Sequence, residues 1–280
     1  MSDTYRGPSR LADSTGLDAE LATVPDDVDG ISAFVRERTI HHNVAAARGL
    51  AAEQFARVWP PVLADVLAAD RLVIGACFLE SHLLAGLLRY RGFDVRARAG
   101  YFRDIRRNAE HVVEFWRRVA AAKGREPDDA YTRAQNDVDH RIEHWACELH
   151  EDGAWTVIDA NTDFLREHSA LEVPVRLPRL HFEHADEAWR ELAAGAPPER
   201  YAEEPGRGRE HVRRQLLLDF FSLLNHDLAD VDGLELGDDV YDRLADVLAR
   251  DPGVDALVDF YRATPELRLP SAEADPYAFV

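Results

Sequence analysis

Asp139 to Asn161, DHRIEHWACELHEDGAWTVIDAN, admits two incompatible folds, and the choice between them constrains the rest of the 280-residue chain. As a helix, His140-Arg141-Ile142-Glu143-His144 spells H-x-x-E-H, the motif of an inverted zinc-protease helix. Val138, Ile142, Trp145 and Leu149 then form an apolar stripe, and His140 and His144 share a face as two zinc ligands must. The third ligand is not singled out; Glu203, Glu204 and Glu210 are all available. As a hairpin, the same segment makes His144 and Asp159 partners for a nucleophile elsewhere in the chain.

The hairpin accounts for more of the residues. Trp145, Cys147 and Leu149 alternate with Ala146 and Glu148, and Thr156, Ile158 and Ala160 alternate with Trp155, Val157 and Asp159. Between the two runs stands Asp152-Gly153, a preferred two-residue hairpin turn. That turn sets Trp145, Cys147 and Leu149 opposite Ala160, Ile158 and Thr156, a mostly apolar face on which Cys147 reads as core. The other face carries His144, Glu148, Val157, Asp159 and Asn161. His144 and Asp159 become diagonal neighbours, roughly 7–8 Å apart at the backbone, a gap their side chains can bridge. Strand propensity in Trp155-Thr156-Val157-Ile158 points the same way.

A histidine steadied by a carboxylate has work to do only beside a nucleophile. Cys77 is the candidate. It opens CFLESHLLAGLLRYRG, whose apolar residues at 79, 83, 84, 87 and 88 follow the helical period and whose Gly92 stands at the helix C′ position. A thiol in a first helical turn feels the positive end of the helix dipole, which leads one to expect a lowered pKa. In this arrangement His144 is the base, Asp159 fixes its tautomer, and the Cys77 N–H is one oxyanion donor. Taken singly, Cys77 reads as a small buried hydrophobe, His144 as a structural histidine and Asp159 as a strand-end cap. The functional reading rests on their conjunction.

Cys77 opening its helix, the following strand FDVRARAGYF, then His144-Trp145 and Gly153-Ala154-Trp155-Thr156-Val157-Ile158-Asp159 together resemble the transglutaminase-like superfamily core. The leader and tail resemble a prokaryotic branch of it. The resemblance covers about residues 71–165 and implies a papain-like arrangement, one helix against an antiparallel sheet, with Cys77 as nucleophile, His144 as base and Asp159 as orienting acid. It implies thioester chemistry on a peptide, protein or small amide or ester, without a cofactor. Phe78-Leu79-Glu80 departs from the polar residue often found after the cysteine, and residues 102–139 form a longer insertion than the core requires.

The fold expected is therefore α+β, with a helical N-terminal segment over 1–70, a core over 71–175 carrying the inserted helix, and a helical extension over 176–280. With 46% apolar residues a core can form, and a formal charge of −19 argues against nucleic acid or an anionic membrane as partner. Two cysteines, a polar N-terminus and no apolar span lead to the expectation of a cytoplasmic protein with reduced thiols. Several further groups merit a place in the structure. His41-His42-Asn43 either lines the cleft or merely ends a helix; Phe115 and Trp116 belong to a lid or to a packed helix. Arg96 and Arg98 bind a substrate carboxylate, or on their strand face are solvated or paired with the many acids, and His181-Phe182-Glu183-His184 offers metal-type side chains without convincing spacing. Three functions stay open: a cysteine acyl-transfer enzyme, a zinc peptidase, and a binding module that retains the core.

Overall fold

A computed structural model describes residues 14–56, 63–103, 109–126, 139–170, 174–201, 207–225, 231, 234 and 236–269. Helices α1 (Asp18–Leu21) and α2 (Val28–Arg38) lead into strand β1 (Thr39–His41), and α3 (His42–Ala47) follows at once. Asp27 caps α2 by accepting the Gly30 N–H at 2.8 Å. Strand β2 (Phe55–Ala56), helix α4 (Leu63–Ala68) and strand β3 (Leu72–Gly75) complete a parallel sheet in the order β1-β3-β2. The N-terminal segment is thus not helical throughout, as its sequence suggests. These strands are very short and find their hydrogen bonds in partners distant along the chain, so no local alternation reveals them. The expected break at Pro60-Pro61 lies outside the described residues.

β3 passes through one residue, Ala76, into α5 (Cys77–Tyr90). α5 ends as its sequence predicts: Gly92 takes φ +85°, and the Phe93 N–H returns to Leu88 O at 3.0 Å. Strand β4 (Val95–Phe102), helix α6 (Ala109–Ala122), strands β5 (Ile142–Glu151) and β6 (Ala154–Ile158), and helix α7 (Thr162–Ser169) follow. Strands β7 (Arg176–Leu177) and β8 (Phe182–His184) come next, then helices α8 (Ala185–Ala193), α9 (Gly208–Leu223), α10 (Asp238–Leu248) and α11 (Val254–Ala263). The second sheet is antiparallel, in the order β7-β6-β5-β4-β8. The architecture is mixed α+β. Because β7 and β8 lie beyond residue 175, the sheet draws two short strands from the segment expected to be a helical extension.

The disputed segment is a hairpin. Cys147 pairs with Ile158 and Leu149 with Thr156, and the turn residues Asp152 and Gly153 take φ of 53° and 81°. Two successive positive φ values are what a type I′ turn demands, and they match the twist of the strands it joins. The zinc helix therefore does not exist. Along extended chain, positions 140 and 144 stand about 13 Å apart, too far to chelate one ion. Among the described residues, no group of three or more His, Cys, Asp or Glu is placed to hold a metal.

One apolar cluster joins Val95, Ala97, Ala99, Trp145, Cys147 and Ile158 to α5 and α9; a second joins Phe102, Ile142, Ala146 and Val157 to Val44, Phe115 and Phe164. Arg96 and Arg98 are buried between these elements at 3% and 2% exposure, committed to protein carboxylates rather than open to a ligand. Arg96 meets Glu148 at 2.7 Å and Asp251 at 2.6 Å, and its guanidinium lies over Trp155 at 3.9 Å. Arg98 forks onto Asp219 of α9 at 2.9 and 2.8 Å and reaches Glu148 at 3.1 Å. His184 closes on the other Glu148 oxygen at 2.9 Å. Burial acts to raise the Glu148 pKa, but His184, Arg98 and Arg96 together hold it well below the usual carboxylate range.

β8 approaches β4 so closely that Gly100 has no room for a side chain: a Cβ there would sit 2.1 Å from Glu183 O. Gly100→Ala is expected to destabilise the fold by about 1–3 kcal/mol in urea unfolding, because backbone rather than a flexible side chain must yield. An unchanged midpoint would show that β8 can move away freely.

Candidate functional site

Each sheet edge is covered for only part of its length, and this positions the site. β6 pairs with β5 from Glu151 back to Cys147 and stops, leaving the Trp145 peptide unpaired on that side. The first turns of α5 satisfy it. Ser81 Oγ donates to Trp145 O at 2.9 Å, and the Trp145 N–H donates to the Cys77 sulfur. Cys77 and Ser81 are one helical turn apart, so both meet the backbone of a single strand residue. The nucleophile candidate is thereby docked on the residue next to His144.

Where β6 ends, the chain turns through Asp159. Its Oδ2 lies 3.0 Å from His144 Nε2, and its Oδ1 accepts the Asn161 N–H at 2.8 Å. His144 is 1% exposed and Asp159 0%. Phe102 stacks on the imidazole at 3.7 Å between centroids, inclined 21°. The ring is fixed in plane by an aromatic face and in rotation by a carboxylate. With Nε2 engaged, Nδ1 is the nitrogen left for chemistry.

Among the described residues, no hydrogen bond joins the Cys77 sulfur to the His144 ring. Nor is the expectation of a lowered thiol pKa met. Burial pushes the Cys77 thiol well up, Glu143 pushes it further, and Glu80 and Asp159 add to the effect; only the Trp145 amide opposes them. Burial first, and the carboxylates after it, outweigh the helix start. At rest Cys77 is a neutral thiol, half-buried but reachable from solvent.

The β1–β3 pairing sets His41 opposite Gly75, which brings the histidine pair to the turn just before Cys77. His42 is exposed and its Nδ1–H donates to Gly75 O at 3.2 Å. His41 is stacked between His42 and Phe164, each at 4.5 Å, with its Nδ1 accepting the Asn43 N–H. Burial, followed by the nearby His42, His144 and His168, lowers its pKa well below the ordinary imidazole value. Lys123, at the end of α6, donates to Asn43 Oδ1 at 2.9 Å, tying the insertion helix to the same corner. On α6, Phe115 is fully buried, and Trp116 donates to His168 Nε2 at 3.1 Å; both belong to packing rather than to an open lid. Cys147 is core, its sulfur donating to Ser81 O at 3.0 Å. Of the other zinc-reading residues, Glu143 receives Gln215 at 2.6 Å, Glu210 lies on α9, and Glu203 and Glu204 lie outside the described residues.

Ser81, Phe102 and Glu80 were not legible as site residues. Ser81 carries a weak signal, since it sits four residues after Cys77 on the same helical face; the others act through contacts made only in the fold. Comparison with models of known protein families, with curated proteins and with solved structures found no match for this chain. Among the described residues, no helix is long and apolar enough to cross a membrane.

Proposed function

We propose that the chain is a cysteine-dependent acyl-transfer enzyme of the transglutaminase-like kind, acting on an amide or ester through a thioester on Cys77. The observation that carries this reading is the buried His144–Asp159 pair at 3.0 Å, set beside a helix whose first residue touches the neighbouring peptide. A structural histidine has no need of both a dedicated carboxylate and a half-exposed thiol next door. The neutral thiol points to general-base catalysis rather than to a standing ion pair. The reading requires that rotation about the Cys77 Cα–Cβ bond bring the sulfur within reach of His144 Nδ1. As sulfur attacks the carbonyl carbon, Nδ1 takes the thiol proton; the tetrahedral intermediate then expels the amine or alcohol, which leaves with that proton. Water or an amine, deprotonated by His144, attacks the thioester and frees Cys77. The Cys77 N–H, one of the unpaired amides of the first turn, is positioned as one oxyanion donor.

The test is acylation by a p-nitrophenyl ester, followed by intact mass and peptide mapping. The expected result is one acyl adduct on Cys77, formed at least about 100-fold more slowly in His144→Ala. An adduct formed at equal rates in both proteins, or none on Cys77, overturns the reading and leaves a binding module that keeps the core.

A further inference from the structure

Glu80 lies on α5 one turn beyond Cys77 and is 4% exposed, with an Oε2 that is buried and has no hydrogen-bond partner. The Thr39 side chain is its polar neighbour, and a hydrogen bond donated by that hydroxyl would favour the ionised carboxylate. The Thr39 hydroxyl has a single hydrogen, and that hydrogen goes to Val35 O at 2.9 Å. With that hydrogen engaged, Thr39 gives an ionised Glu80 little support, and a buried carboxyl oxygen without a partner favours the neutral acid.

The charged groups facing Glu80 act in both directions. Asp159, at the end of β6, and Asp163, on α7, disfavour a second negative charge; Arg36 on α2 favours one; Cys77 shares its helix. Asp163 is partly solvated and already paired with Arg166 at 2.8 Å, which leaves Asp159 as the nearer buried charge. Burial first, then Asp159, pushes the Glu80 carboxyl up to about 8.

We propose that Glu80 is a positioning residue of the Cys77 site: held as the neutral acid against Thr39, it keeps Asp159 the sole charged partner of His144, and loss of its proton suppresses the thiol. This rests on the acyl-transfer reading, because the suppression matters only if Cys77 reacts. The sign follows from electrostatics. An ionised Glu80 is a further anion beside Cys77, so it disfavours thiolate and opposes departure of the thiol proton. Below its midpoint that penalty is absent; above it, the penalty is complete.

The experiment labels Cys77 with iodoacetamide between about pH 6 and 9.5 in wild type and in Glu80→Gln, with adducts on Cys77 and Cys147 separated by peptide mapping. Glutamine keeps the shape and can donate to Thr39 as the acid does. The two proteins are expected to label at the same rate below about pH 7, and above pH 8 the variant is expected to be about 3- to 10-fold faster, the effect of a shift of 0.5–1 unit. Coincident curves throughout overturn the inference. So does a constant ratio at every pH, which is the mark of altered packing. Carbon-13 titration of the Glu80 carboxyl in wild type decides the matter if the variant folds poorly: a midpoint near 8 supports the inference, and one below 6 overturns it. The reading beneath it fails separately, through acylation that ignores His144→Ala.

Discussion

Asp219→Ala is expected to destabilise the protein by about 3–5 kcal/mol, the cost of leaving a buried ion unpaired. Asp219 is fully buried and accepts four bonds at once, three from the Arg98 fork and one from the Ala99 N–H at 2.9 Å. β8 pairs only with Gly100 to Phe102, so the carboxylate replaces the partner strand that Ala99 lacks. Without it, Arg98 must share Glu148 with Arg96, and Asp186 is 3.6 Å away. The Ala99 amide is orphaned as well. Urea unfolding by circular dichroism reads the change; a loss below about 1 kcal/mol would mean that water or Asp186 replaces the lost partner. Replacing the whole set by apolar residues of similar volume is a different experiment, because it removes the buried charges together.

Asp159→Asn should leave stability almost unchanged and slow acylation of Cys77 by about 10²- to 10⁴-fold. The argument is one of tautomers. The Asn161 N–H needs an acceptor, so asparagine keeps its oxygen on that side and turns its NH₂ towards His144 Nε2. Nε2 must then accept, which places the ring's only proton on Nδ1, the nitrogen proposed to receive the thiol proton. Single-turnover acylation in both proteins, with thermal unfolding as the control for folding, tests this. Rates within about tenfold of one another would show that the carboxylate only packs against the ring.

The local patterns that survived in the structure are those whose cause is local. Asp152-Gly153 dictates its turn through positive φ, and alternation in β4 and periodicity in α5, α6, α8, α9, α10 and α11 report which face is buried. These were enough to place His144 beside Asp159. Other features required partners remote in sequence. β1 to β3 are defined only by one another, α7 has too few residues for its period to stand out, and β7 and β8 extend the sheet past residue 175. Arg96 and Arg98 look like an exposed face in a strand that alternates apolar and basic, yet α8, α9 and the loop bearing Asp251 supply carboxylates that bury them. The Cys77 pKa was misjudged for the same reason. A helix start is visible in sequence, whereas Glu143, Glu80 and Asp159 converge only in space.

The backbone of Trp145 is touched by two side chains from a single helix, one on its N–H and one on its C=O. A helix displaced by a single position along its axis forfeits both contacts, since neither neighbour of Cys77 or Ser81 points the same way. Correct docking and nucleophile placement are thus read by the same gauge. A half-seated helix strands a buried peptide group, so a misaligned sulfur does not persist as a quiet defect; it is expelled along with the misfolded state that holds it.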